Sequence, residues 1–393
     1  MKYPLSIIVI ILFIIINFIS CSDDPPTSIG IDLLDGDYLI VNTFDTQDDS
    51  VTQFSSFFKE VIPLGLSSKV LIGKKDELEA STLMDFAFFI EDSLRQDFLD
   101  GNITVNQAFI ELTPQYTYTD TTAAYDFSVH KINSDWSILG FTSDSLANLS
   151  FDAEDLSSNK NFTDSIYTFD LNNDFVLQWI KISIDSSLGE NNGIYYKPTV
   201  NTGKVVGFQA LTTTSSDAAK LKVVIEKQGS FVDTIRAFIF GDVSAVAADL
   251  PVLPAEDIGV QASTTIQSKL FFDLSEVPPD IIINKAELIL TEDTLSSITG
   301  SSFNSNLAVF KITDSSDVTV DEGNGILLIK NENTYTANIT TFITSWITNE
   351  DNQGMVIRSA SLVEGLELFA IRGSEHPELS ERPRLRIVFT SKE

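Results

Sequence analysis

Short runs in which apolar and polar residues alternate recur along most of this chain, separated by clusters of Gly, Asn, Asp and Ser. Alternation sends every second side chain to one face and predicts half-buried antiparallel strands joined by turns. The runs occur twice in the same order. Residues 107–112 (QAFIEL) match 285–290 (KAELIL), and 128–132 (SVHKI) match 308–312 (AVFKI). Residues 167–171 (YTFDL) then match 335–339 (YTANI), Asn192-Gly193-Ile194 matches Gln353-Gly354-Met355, and 220–225 (KLKVVI) matches 384–389 (RLRIVF). One segment in each copy departs from the alternation. Phe175, Val176, Trp179 and Ile180, like Phe342, Ile343, Trp346 and Ile347, fall three and four apart, so each set predicts one face of a short helix plugging its sandwich.

Self-similarity of this length predicts a duplicated unit, and many short strands with turn signals predict sandwiches. The expected fold class is all-β: two tandem antiparallel β-sandwich, jelly-roll-like domains, each with a short helix. The pattern resembles the DNRLRE-type domain of secreted and surface proteins, related to an alginate-binding carbohydrate-binding module family. The resemblance covers about residues 67–228 and 229–390. It rests most on the second copy: Lys285 to Leu288, Thr340 to Trp346, Gly354 to Arg358, and Glu375 followed by Arg382-Pro383-Arg384-Leu385. The first copy has Ala218-Ala219-Lys220 where the second has Arg382-Pro383-Arg384, so a function carried by that Arg is absent from copy one. What the resemblance implies is a polysaccharide-binding surface module.

The N-terminus changes the picture from two domains to two domains on a tether. Lys2 precedes an apolar stretch from Ile7 to Ile19 that is too short for a membrane span and ends in Ser20-Cys21, as a signal-peptide core does. Residues 18–21 (FISC) resemble the lipobox of bacterial lipoproteins, which implies lipid attachment at Cys21. The spacer Ser22-Asp23-Asp24-Pro25-Pro26 cannot continue a helix, and it resembles the signal that sends Bacteroidetes lipoproteins to the outer face of the outer membrane. The expected organisation is a signal peptide over residues 1–20, a lipid-anchored linker over 21–36, a first sandwich over 37–228 and a second over 229–393. Within it, residues 231–240 open the second copy, and Pro251 and Pro254 mark a bend inside that copy.

Charge removes one class of partner. The formal net charge is −31, which excludes a protein that must sit on phosphate backbones, so nucleic acid is not a partner. The single cysteine excludes an intrachain disulfide. With two histidines and no Gly-rich phosphate loop, nucleophile elbow or zinc motif, no catalytic constellation emerges, and the chain is not expected to be an enzyme. His130 stands where copy two has Phe310, which favours a packed position over a catalytic base.

Binding chemistry is sparser. Trp179 and Trp346 sit on apolar faces and are core anchors. Trp136, Tyr116, Tyr118, Tyr195 and Tyr196 lie in polar or loop-edge stretches, where a ring can stack on a sugar, and are the candidate carbohydrate-binding residues. Asp314, Asp317, Asp321 and Glu322 put several hard oxygen ligands in one loop and are the candidate calcium ligands, against the bland alternative of a solvated acidic turn. Arg382, Arg384 and Arg386 share a strand face, where ion pairs with Glu375, Glu378 and Glu381 are expected. The expected function is a surface lipoprotein, held to the membrane through Cys21 and facing the cell exterior, that binds extracellular polysaccharide. The alternative is a structural or adhesion lipoprotein whose sandwiches act as spacers or contact another envelope protein. That alternative predicts buried aromatics and an outward apolar patch; a sugar site predicts exposed rings in a groove.

Overall fold

The computed structural model describes residues 39–48, 51–211, 217–301, 306–348 and 351–392; Cys21 and the segment around it lie outside the described residues. Strands β1 (Leu39–Asp45) and β2 (Gln53–Lys59) open the described chain. Next come β3 (Lys69–Lys75), β4 (Leu78–Phe88), helix α1 (Asp92–Asp100), β5 (Ile103–Leu112), β6 (Pro114–Tyr118), β7 (Phe127–Lys131), β8 (Ser157–Phe162) and β9 (Tyr167–Leu171). Helix α2 (Asn173–Ile184) leads to β10 (Ile194–Pro198), β11 (Val205–Gln209), β12 (Lys220–Lys227) and the long β13 (Phe231–Ala247). The rest of the chain forms β14 (Asp257–Gln261), β15 (Ile266–Phe272), β16 (Ile281–Thr291), β17 (Leu307–Asp314), β18 (Thr319–Val320), β19 (Ile326–Asn331) and β20 (Thr334–Asn338). It ends with helix α3 (Thr340–Thr348), β21 (Met355–Ser359), β22 (Leu368–Arg372) and β23 (Arg384–Lys392).

These strands form two antiparallel sheets of eleven and twelve strands, each curled over its own apolar core. The all-β sandwich class expected from alternation is the observed one. The first sheet runs β6-β11-β3-β4-β13-β12-β5-β9-β8, with β10 joining β4 to β7. The second runs β1-β23-β16-β20-β19-β17-β21-β15-β14-β22, with β2 on β15 and β18 on β17.

The two copies match down to their irregularities. Strands β5 and β16 both carry a bulge two residues before an alanine, at Asn106 and Asn284, and the alanine N–H is then met by the following helix. Ala108 N donates to Asn173 Oδ1 at 3.0 Å, and Ala286 N to Thr340 Oγ1 at 2.8 Å. Gly193 and Gly354 have φ of +83° and +86°, a region that suits only glycine, and a Cβ there would stand 2.2 Å from Met84 O and 2.7 Å from Leu270 O. Both expected helices form with their tryptophans buried, Trp179 in α2 and Trp346 in α3. Helix α1 has no counterpart in the second copy; its end is set by Gly101 at φ +77°, whose N–H closes back on Phe98 O.

The chain does not divide between the sheets at residue 228, as the sequence had suggested. Residues 231–247 complete the first sheet instead of opening the second copy: β13 pairs with β12 through Phe238 and with β4 through Ala247. The equivalent places in the second sheet are filled from the N-terminus. Strand β1 pairs with β23, and β2 with β15. The physical reason is edge satisfaction: the last strand of each copy leaves N–H and C=O groups to be met along its outer edge, and β13 meets them on β12 while β1 meets them on β23. Pro251 and Pro254 accordingly lie in the passage from β13 to β14, between the sheets, and not in a bend within one copy.

Candidate functional site

Four of the five candidate sugar-binding aromatics are buried. Tyr116 and Tyr118 are two apart on β6 and so share a face, the outer face of the first sheet, which the second sandwich covers. Tyr116 Oη accepts from Leu366 N at 2.9 Å beside the buried Glu367, and Gln261 Nε2 donates to Tyr118 Oη at 3.4 Å. Burial first, and the Glu367 charge second, push both phenols up. Burial likewise raises Glu367, against the lowering hydrogen bonds it receives. Tyr195 and Tyr196 are adjacent on β10 and point to opposite faces. Tyr196 enters the first core between Phe127 and Phe169, while Tyr195 lies under Phe151 and donates to Ser81 Oγ at 3.2 Å. Alternation told which faces these rings occupy; it could not tell that each face is covered. None of the four offers a ring to a sugar.

Trp136 is different. It is half-buried in the segment after β7, and its Nε1–H donates to Asn192 O at 2.8 Å, which fixes the indole. It forms the wall between two shallow depressions of about 230 and 330 Å³, both also lined by Asp135. The smaller is bordered by Asp85, Asn191, Asn192 and Phe240. Strand β13 is bulged here, with Ile239 opposite Phe86 and Gly241 opposite Asp85, so Phe240 is the extra residue and its ring is thrown outward to 70% exposure. A Cβ at Gly241 would stand 3.1 Å from Ile138 Cδ1, a tight approach, and in ordinary contact with Trp136 Cη2 at 3.5 Å. Burial pushes the half-buried Asp85 carboxyl up to about 6, against the lowering Phe86 N–H. Asn191 Oδ1 accepts from Gly193 N at 3.3 Å, which orients the amide, and its buried Nδ2 has no partner. The sequence named Trp136; Asp85, Asn191 and Phe240 were missed because their approach depends on a bulge and on strand pairing.

In the acidic loop, three of the four candidate calcium ligands are engaged by neighbouring donors. Asp314 Oδ1 accepts from Ser316 N at 2.9 Å and Ser316 Oγ at 2.6 Å, and Asp321 Oδ2 accepts from Asn324 Nδ2 at 2.8 Å. Glu322 is engaged by both Nη atoms of Arg358, whose guanidinium carbon stands 3.8 Å from the centre of the Phe310 ring. Asp314, Asp321 and Glu322 thus turn to local donors, and among the described residues no three His, Cys, Asp or Glu side chains, Asp317 included, gather as a metal group.

Arg384 of β23 and Arg382 just before it also find other partners than expected. Arg384 pairs with Asp45 of β1, Nη2 to Oδ2 at 2.5 Å, and Arg382 Nε donates to His376 O at 2.5 Å. His130 is buried, with Nδ1 on Glu154 O at 2.9 Å and Nε2 on Ser128 Oγ at 2.7 Å, the packed position that its Phe310 counterpart suggested. One pair of carboxyl groups converges in the second sandwich, Asp257 with Asp293. Arg372 ties both, at 3.1 and 3.2 Å, in a buried cluster that holds β14, β22 and the end of β16 together. No protein-family model matches this chain, and no curated protein matches it.

Proposed function

We propose that the protein is a lipoprotein anchored at Cys21 and displayed on the cell exterior, binding extracellular polysaccharide through the Trp136 groove of its first sandwich. The observation that carries this is the groove itself: an indole fixed at the surface, with carboxyl and amide groups beside it. Sugars are recognised by that combination, because the apolar face of a ring stacks while hydroxyls exchange hydrogen bonds with neighbouring polar groups. Support for the anchor comes from Ser20-Cys21 at the end of the apolar run and from the acidic spacer behind it. Affinity electrophoresis of the full chain in detergent through polysaccharide-loaded gels tests the function. Retardation by at least one polysaccharide that Trp136→Ala abolishes, at an unchanged melting temperature, is the expected result; migration unaffected by every polysaccharide would defeat it.

A second function, contact with another envelope protein, is favoured by the outer face of β13. Val232, Phe238 and Phe240 are exposed there, and Phe238 lies against the exposed Phe89 with ring centres 6.1 Å apart. Phe238→Ser then removes protein capture from envelope extracts and leaves polysaccharide retardation intact.

A further inference from the structure

We infer that the groove beside Trp136 takes a neutral pyranose unit of its polysaccharide and rejects uronic acids, an inference that rests on the glycan-binding function proposed above. It comes from comparing the groove with the same place in the second copy. In both copies an asparagine caps the turn before a strand: Asn191 Oδ1 accepts from Gly193 N at 3.3 Å, and Asn352 Oδ1 accepts from Gly354 N at 3.1 Å. In both, the glycine carbonyl receives an isoleucine N–H, from Ile132 at 3.1 Å and from Ile312 at 3.0 Å. The turns are therefore superimposable in their bonding. They differ at one atom. Asn352 Nδ2 donates to Phe272 O at 2.8 Å, whereas the buried Nδ2 of Asn191 donates to nothing.

A buried donor without an acceptor is rare in folded proteins, because desolvating it is unfavourable unless something meets it. Here the second copy shows how the atom is met within the protein, by the carbonyl of Phe272. In the first copy Asn191 lines the space beside Trp136 while its Nδ2 stays below the surface, so a ligand oxygen accepts from it where binding shifts that lining. Asp85 stands on the same border as an acceptor, opposite Gly241 across the strand pair. A donor and an acceptor beside an aromatic ring suit vicinal hydroxyls, each of which both gives and receives a hydrogen bond.

The charge of the lining decides between sugar classes. Asp85 and Asp135 are its two ionisable side chains, and neither lysine nor arginine borders either depression flanking Trp136. A uronate carboxylate would have to approach two carboxylates with no cation to offset the repulsion. A neutral pyranose meets no such opposition.

The test uses the full chain in detergent against gels loaded with laminarin, mannan or xylan as neutral polysaccharides, and alginate or polygalacturonate as uronates. Retardation by a neutral polysaccharide and by neither uronate is expected. Asn191→Asp keeps the Oδ1 acceptor for Gly193 while deleting the free donor, and it weakens that retardation by about tenfold or more. Asp85→Asn weakens it as well, and Asn352→Asp, its counterpart in the second copy, leaves it unchanged. Binding of a uronate as tight as or tighter than any neutral polysaccharide, lost with Trp136→Ala, overturns the neutral-sugar inference while leaving glycan binding at the groove standing. Undiminished retardation of Asn191→Asp also overturns it. Retardation by none of the five sinks both.

Discussion

The pairing of β1 with β23 makes the second sandwich depend on a strand from the other end of the chain, and the Asp45–Arg384 ion pair is where that dependence can be measured. Arg384 grips Asp45 at two points, Nε to Oδ1 at 2.9 Å and Nη2 to Oδ2 at 2.5 Å. The Asp45 side chain is 5% exposed and that of Arg384 31%, so the pair lies between the exposed and the buried extremes. Exposed pairs contribute about 0.2–1 kcal/mol, and breaking a buried one costs about 3–5 kcal/mol. Discounting for the solvent that reaches Arg384 gives a coupling of about 2 kcal/mol.

The two single variants are unequal. Arg384→Met strands a buried carboxylate and costs more than Asp45→Asn, which leaves a guanidinium that water can reach. Burial, the largest single influence, works to raise the Asp45 pKa, but the Arg384 hydrogen bonds, the Gln47 N–H and the charges of Arg384 and Arg386 together outweigh it and hold the group below its ordinary 3.8. With the folded pKa depressed, the contribution is complete above 3.8 and is lost as pH falls through the folded value. Urea unfolding of both single variants and the double variant gives the coupling, and hydrogen exchange read by mass spectrometry locates it. Protection should fall in β1, β23 and β16 and persist in the first sandwich. A coupling below about 0.5 kcal/mol, or loss of protection confined to β3–β12, would refute the assignment of β1 to the second sandwich's energetics.

Two other perturbations probe the interface and the buried acids. Tyr116→Phe deprives the buried Leu366 N–H of its acceptor, so the melting temperature should drop by the equivalent of about 1–3 kcal/mol; an unchanged melt would mean that water replaces the hydroxyl. Asp242 is buried, accepts from Leu211 N at 2.8 Å, and is pushed by burial from 3.8 up to about 6. A raised folded pKa means stability that is complete below 3.8 and lost as pH rises through about 6, up to about 3 kcal/mol for this group. Asp242→Asn should therefore gain on the parent near pH 7.5 and lose that advantage near pH 4.5, as urea midpoints at the two values will show; a pH-independent difference would contradict the burial argument.

Local sequence determined more of this fold than of its site. Alternation marked the strands, the three-and-four spacing marked α2 and α3, and the repeated order of segments marked a duplication that the paired bulges at Asn106 and Asn284 now make concrete. These are properties of neighbouring residues, which the chain displays along its length. Tertiary structure alone decided which strand closes each sheet, because any strand can pair at an open edge, and Asp45 meets Arg384 across 339 positions. It alone decided the fate of the tyrosines as well. Alternation assigns a side chain to a face but says nothing of what lies on that face, and the faces of Tyr116, Tyr118 and Tyr195 are covered by segments remote in sequence. The surroundings of Trp136 were set in the same way: a bulge in β13, about a hundred residues away, turned Phe240 outward to line the depression beside the indole.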